Sequence, residues 1–585
     1  MNACWNLDVI YKGFDDPSFT ADLQELKTAI AAFHELAGNL EEKAPLEGLL
    51  EGTALQEKIG DLGAKLAEYA MLRQSADARD PEAGSQMGRV MAALSETAGA
   101  EAAFQNWVCK IPNLQALVAG EESLAPYAFR FAKMEKSSRY LLCSQAEEVA
   151  ARLGLSGGSA WSDLQGYLTS TVPVEYDGKT ITLSTVRNLA YDPDGQVRKK
   201  AYEAELACYD RIKDPVAFAL NSIKLETISD CKLRGYESPL ARTLERSDMK
   251  KETLDAMLGA MEEYLPKFWQ YMKAKAKALG HEKGLPWYDL FAPMGNSSTK
   301  FDTQQAKDFL VEQFASFNQE EVDMIGRAFD EEWIDFFPRE GKAGGAFCCD
   351  VEALGQSRIL TNFDGAFGDV VTLAHELGHA WHNECIRDHK TLNHDYSMPL
   401  AETASTFNEC VVMASAIAGA ADDQEKLALI ESQLQDATQI ICDIFSRYQF
   451  EAMVFENREE QFMHADTLCD FMVKAQKACY GDGLDPDCMH PYMWVCKGHY
   501  YGPTFYNFPY AFGGLFARGL YAQYEKEGAA FIPKYNKLLH TTPVATAEDV
   551  AMTAGIDLTD KDFWRGALEM IARQIDIFCD LVKEN

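Results

Sequence analysis

No apolar run in the 585 residues approaches the roughly 20 that a membrane-spanning helix needs. The opening residues, MNACWNLDVIYKGFDDPSF, lack both the basic and the apolar segment of a secretion signal. The expectation is a soluble, cytoplasmic protein with no membrane partner. Positive charge is short as well: 55 Lys and Arg stand against 90 Asp and Glu, a formal net charge of −35, and no basic tract offsets it. Such a chain repels phosphate backbones, which excludes nucleic acid as a partner. The surplus acid mainly keeps the protein in solution. Cysteine is present, but not in the two-residue gaps of a zinc ribbon. The fifteen cysteines are scattered singly except for Cys348 and Cys349. Cys469, Cys479, Cys488 and Cys496 stand ten, nine and eight residues apart, which reads as structural thiols in a reducing compartment.

Strand-like alternation is also scarce. TITLSTV from Thr180 and GGAFCCDV around Phe347 are its better examples. Helical spacing dominates instead: Asp22 to Leu40, the run from Lys251, and Glu425 to Phe450 all place apolar residues three and four apart. YDGKT at Tyr176 and YDPDGQ at Tyr191 break the pattern, as does the polar GNSSTK from Gly295. At this length several domains are expected. The division predicted is an N-terminal helical portion over 1–195 and a larger portion over 196–585 that carries the chemistry.

Histidine is rare and unevenly spread: five of the eleven fall between Val370 and Glu409. His375, Glu376, Leu377, Gly378 and His379 spell H-E-x-x-H. On a helix, positions four apart share a face about 6 Å along the axis, so two imidazoles can converge on one ion. Glu376 lies to one side, where a carboxylate can take a proton from a metal-activated water. The plainer alternative is a buried helix with two satisfied histidines. Gly378 argues against it, because a glycine in mid-helix costs about 1 kcal/mol relative to alanine and calls for something packed closely there.

A catalytic zinc usually takes three protein ligands and keeps one open position. His382 lies about 10 Å along the axis from His375, too far to share the ion easily. Cys385 occupies the place where some zinc proteases carry a third histidine. His389, His394 and Asp395, in a loop, could reach back. Glu402 is better placed, because Pro399 suits the first turn of a new helix that ETASTFNECVVMASAIA continues. Glu409, seven residues on and on the same face, could orient a histidine. Downstream, GHYYGPTFYNFPYAFGGLF from Gly498 interleaves His499, Tyr500, Tyr501, Tyr506 and Tyr510 with glycines, which suggests a cleft wall whose donors could stabilise an oxyanion.

With both stretches in view, the chain resembles the thimet oligopeptidase superfamily, and within it the bacterial oligoendopeptidase F branch. The resemblance rests on TNFDGAFGDVVTLAHELGHAWH, PLAETASTFNE and GHYYGPTFYNFPYAFG, and upstream on WNLDVIYKGFDDPSF, YDLFAP and WIDFFPREGKAGGAFC. It implies a mostly α, two-lobed helical metallopeptidase with a deep central channel and a small β-sheet near the active site. It further implies one Zn2+ held by His375, His379 and Glu402, with Glu376 as general base. His499, Tyr506 and Tyr510 match its substrate and oxyanion residues. Gly345, Ala346, Phe347 and Tyr501 would contact substrate, the first three through an edge strand that pairs with the peptide backbone. The implied activity is hydrolysis of internal bonds in short unstructured peptides. Two rivals remain: a zinc carboxypeptidase, for which Lys497 or Arg518 could hold a terminal carboxylate, and a peptide-binding protein without catalysis.

Overall fold

The computed structural model describes residues 3–295, 299–505 and 507–584. Helix makes up 72% of the chain, which settles the class as mostly α. The chain divides into two compact units, each assembled from three separate stretches. One holds Met1–Arg139, Thr299–Ser415 and Tyr524–Gly555; the other holds Tyr140–Ser298, Ala416–Gln523 and Ile556–Asn585. Position 195 therefore falls inside the second unit. Among the described residues no helix is long and apolar enough to cross a membrane.

In the first unit the helix Pro17–Asn39 starts where Asp16 accepts the Ser18 N–H at 2.9 Å and Pro17 sets the first turn. Its buried Phe19, Leu23, Leu26, Ile30, Phe33 and Leu36 are the three-and-four spacing seen in the sequence. Phe19 meets Tyr11, Phe14 and Tyr69 in a cluster of mainly edge-on rings, the Tyr11–Phe19 and Phe14–Tyr69 centroids both 5.2 Å apart. The same unit carries a three-stranded sheet. Gln356–Leu360 lies in the centre, parallel to Ile334–Asp335 and antiparallel to Phe347–Val351. Asp335 is fully buried and is held by Lys342 at 2.7 Å and by both oxygens on Arg339.

The second unit holds a hairpin, Val174–Tyr176 with Lys179–Ile181, closed by Asp177 and Gly178 at φ +46° and +73°. Two left-handed residues in succession are what a tight hairpin turn demands. The strand expected over TITLSTV stops at Ile181. Thr182 accepts the Thr185 N–H at 3.2 Å and caps a helix over Leu183–Asn188, so local capping overrides the alternation. In the core of this unit Lys224 and Glu451, both fully buried, pair at 2.7 Å. All fifteen cysteines are free thiols.

Candidate metal centre

The helix Phe367–Ile386 carries the H-E-x-x-H motif. Asp369 starts it, accepting the N–H groups of Ala366 at 3.1 Å and Asp364 at 2.9 Å. A second helix, Thr403–Ala418, crosses it. The predicted start at Pro399 is corrected: Pro399 belongs to a separate short turn, Met398–Leu400. Glu402 sits at the cap instead, its carbonyl accepting the Thr406 N–H at 3.1 Å. That position aims its carboxylate out of the helix end, and the Ser405 hydroxyl donates to Oε2 at 2.7 Å.

The crossing is tight because of one residue. A Cβ on Gly378 would lie 2.6 Å from both the Ala404 carbonyl oxygen and Ser405 Cα, closer than real side chains approach backbone. Only glycine permits this approach, and it brings Glu402 to the histidines. Glu402 Oε2 is 3.3 Å from His375 Nε2 and 3.4 Å from His379 Nε2. With metal–ligand bonds of about 2.0–2.1 Å, the edge of a zinc tetrahedron is about 3.3 Å, so Glu402 stands from each histidine at the spacing of a zinc set. They are, among the described residues, one of two groups whose side-chain atoms could share an ion.

The surroundings hold this geometry. Glu409 Oε1 lies 2.6 Å from His375 Nδ1, which leaves Nε2 for the shared position. Burial opposes a charge on His375, yet its bonds to Glu402 and Glu409 hold its pKa up to about 10. Two carboxylates that grip a proton so firmly are equally suited to a cation. Burial also opposes charge on Glu402, but hydrogen bonds from His375 and His379 keep it ionised far below the usual carboxylate range. Glu376 is 6% exposed, and burial raises its pKa against the pull of the two histidines. A carboxyl raised in this way takes and returns a proton nearer neutrality.

Other residues of the histidine-rich stretch have different duties. His382 is fully buried, stacks on Tyr396 with centroids 4.2 Å apart, and meets Thr542 Oγ1 at 2.8 Å. Burial pushes its pKa down to about 3, so it is a neutral packing residue. His394 lies 3.7 Å from Asp350 and 3.6 Å from Glu352. His389 bonds the His540 carbonyl. Neither these two nor Asp395 belongs to the group around His375. Sequence reasoning missed Glu321, which is fully buried and pushed up to about 8 by that burial. It accepts from Asn408 at 2.8 Å, and Asn408 also donates to the Ala374 carbonyl at 3.2 Å. The amide thus ties the two site helices together; its only signal was its place beside Glu409.

Phe347–Val351 is the edge of its sheet on the side away from Ile334–Asp335. Phe347 is its first residue, while Gly345 and Ala346 form the approach, Gly345 with φ +78° and its carbonyl accepting from Asn362 at 2.9 Å. The strand lies near the motif, since Asn383 of the motif helix reaches the Cys348 thiol at 4.0 Å and that thiol, raised chiefly by burial, is raised further by the charge of Glu376.

In the second unit, Tyr510 and His499 form a pair, hydroxyl to Nε2 at 3.2 Å, with the rings edge-on. Burial and nearby Arg447 and Lys497 lower the His499 pKa, leaving it neutral. Tyr501 does not fit a substrate contact. It is 2% exposed and its hydroxyl donates to the Trp494 carbonyl at 2.8 Å, so it is a core residue; Tyr500 beside it is buried as well. Tyr506 lies outside the described residues.

The sequence model of peptidase family M3 matches residues 188–570, and that of oligopeptidase F matches residues 112–172. Oligopeptidase PepF of Bacillus subtilis is 23% identical over 583 residues, covering 98% of this chain and 86% of its own. An oligoendopeptidase F homolog of Lactococcus lactis is 24% identical over 595 residues, with 99% and 97% covered. Among solved structures, a candidate peptidase from Chlamydophila abortus superposes with a TM-score of 0.87 at 20% identity, covering 99% of this chain and 98% of that one. Oligoendopeptidase-F from Enterococcus faecium gives 0.72 at 18% identity, with 97% and 99% covered. At such identities the structural likeness establishes the fold.

Proposed function

The chain belongs to peptidase family M3, in its oligoendopeptidase F branch, and on that premise we propose that it is a zinc-dependent oligoendopeptidase cutting internal bonds of short unstructured peptides. The observation that carries the proposal is the approach of Glu402 to His375 and His379 at 3.3 and 3.4 Å, with Glu376 next to His375 on the motif helix. Those three residues would hold the ion. When bound, zinc supplies Lewis acidity, making the attacking water more acidic and the scissile carbonyl more electrophilic.

The rest is the work of the chain. Glu376 takes the water proton on its carboxylate and delivers it to the leaving amine nitrogen. Glu409 holds His375 in the tautomer that presents Nε2. Phe347 and the edge strand it begins pair with the peptide backbone, which selects extended substrates.

An internally quenched peptide of about ten residues, amidated at its C-terminus, tests this reading. Internal cuts mapped by mass spectrometry, abolished by a chelator and restored by Zn2+, are expected. Stepwise release of single residues, confined to free-acid peptides, would establish a carboxypeptidase instead. No cleavage despite bound zinc would leave a binding protein.

A smaller effect is expected at the residue behind the ligands. Glu409→Gln should weaken zinc binding by about 10–100-fold, because the histidine loses its charged orienting partner. Competition against a chelator of known affinity measures it. Unchanged affinity would mean that the 2.6 Å contact is incidental.

A further inference from the structure

We propose that Asp388, His389 and His540 form a second divalent-metal site, distinct from the His375–His379–Glu402 group, that takes a transition-metal ion such as zinc. Each of the three side chains offers a ligand atom, and these atoms all lie within 4.8 Å of one another. His540 Nε2 is 3.0 Å from Asp388 Oδ1, and the two imidazole rings are 4.3 Å apart between centroids.

The hydrogen bonding of His389 decides which of its nitrogens is available. Its Nε2 lies 2.7 Å from the backbone carbonyl oxygen of His540. A carbonyl oxygen can only accept, so Nε2 carries the proton and Nδ1 keeps its lone pair. Metal-binding histidines are anchored in this way, one nitrogen on a carbonyl and the other on the ion. Two imidazoles and a carboxylate leave one position for water in a zinc tetrahedron. Imidazole donors also favour zinc, copper or nickel over calcium and magnesium, which prefer oxygen.

The site is open to solvent, with the Asp388 side chain 77% and the His540 side chain 42% exposed. Its position gives it a structural consequence. Asp388 and His389 follow the end of the motif helix at Ile386, and His540 belongs to the helix Ile532–Thr541. His382 of the motif helix already bonds Thr542, the residue that follows the second helix. An ion held by all three residues would clip the end of the motif helix to its neighbour, stabilising the folded state by mass action without entering the reaction.

The full-length protein is stripped with a chelator, reloaded with Zn2+ in a few-fold excess, desalted and assayed for metal. The expected result is about two equivalents in the wild type and about one in His540→Ala, with peptidase activity retained in that variant. His540→Ala keeps the backbone carbonyl that anchors His389, so the fold should persist. Asp388→Asn, at an exposed carboxylate, should weaken the second equivalent at least about tenfold. His379→Ala should lose the first equivalent and keep the second, which separates failure of this site from failure of the catalytic reading. Equal zinc content in the wild type and His540→Ala, with the same zinc-dependent rise in Tm, would show an ordinary surface Asp–His pair and overturn the proposal.

Discussion

Glu376→Gln is expected to lower kcat for peptide cleavage by about 10²–10⁴-fold while zinc content stays at the wild-type level. The substitution preserves shape and hydrogen-bonding reach but removes the one property the mechanism needs, a carboxylate that accepts a proton. Glu376 stands outside the group of atoms that could share the ion, so the metal has no reason to leave. Loss of stability is not expected to confuse the result. Glu376 is a buried acid whose charged form is disfavoured by that burial. A neutral amide of the same size lifts this penalty and relieves the thiol of Cys348 from a nearby negative charge. Steady-state kinetics, metal analysis and thermal unfolding of the same preparation distinguish the outcomes. Turnover within a few-fold of wild type would remove Glu376 from the role of base. A loss of activity accompanied by loss of zinc would make it a structural support of the site.

The sequence exposed the parts of this site that depend on local spacing. H-E-x-x-H is legible because a helix fixes which residues share a face, and the helix Phe367–Ile386 provides it. Glu402 was legible as a member of a second helix, although its exact place at the cap was not, since Pro399 gave an earlier start signal than the chain used. The supports behind the ligands were hidden for a different reason. Glu321 reaches Asn408 across 87 residues, and nothing in the local pattern around either marks the contact. The central strand Gln356–Leu360 was equally silent. Its Ser357 and Arg358 are both fully buried, with the guanidinium donating to the Asn6 carbonyl at 3.0 Å, so a strand of the interior carries polar letters. The three-part build of each unit is not encoded in any one stretch; a boundary drawn along the chain cannot express it. Tyr501 misled because aromatic density looks alike in a cleft wall and in a core, and only the acceptor of its hydroxyl, the Trp494 carbonyl, separates the two.

Gly378→Ala should cost far more activity than stability. In a helix on its own the change would be favourable by about 1 kcal/mol. Here the new methyl meets the Ala404 carbonyl oxygen and Ser405 Cα at 2.6 Å, and both belong to backbone that cannot rotate away. Forced overpacking of this kind costs about 1–3 kcal/mol, so the net loss of stability is modest. The two helices must separate by several tenths of an ångström to admit the methyl, and Glu402 stands only two residues before Ala404. The carboxylate then withdraws from His375 and His379, whose 3.3 and 3.4 Å separations leave little slack for a shared ion. A displacement of about 1 Å in a catalytic group can cost about 100-fold, so a shift of several tenths of an ångström is expected to lower kcat/KM by about tenfold or more, together with zinc affinity. Gly378→Val should add a further loss in stability, since a branched side chain cannot be accommodated by the same small shift. Denaturant midpoints, zinc competition and kcat/KM measured on both variants give the pattern. A Gly378→Ala protein that is more stable than wild type and fully active would show that the helices do not need this closeness. The crossing would then be only a packing contact, and Glu402 would owe its position to Asn408 and the cap alone.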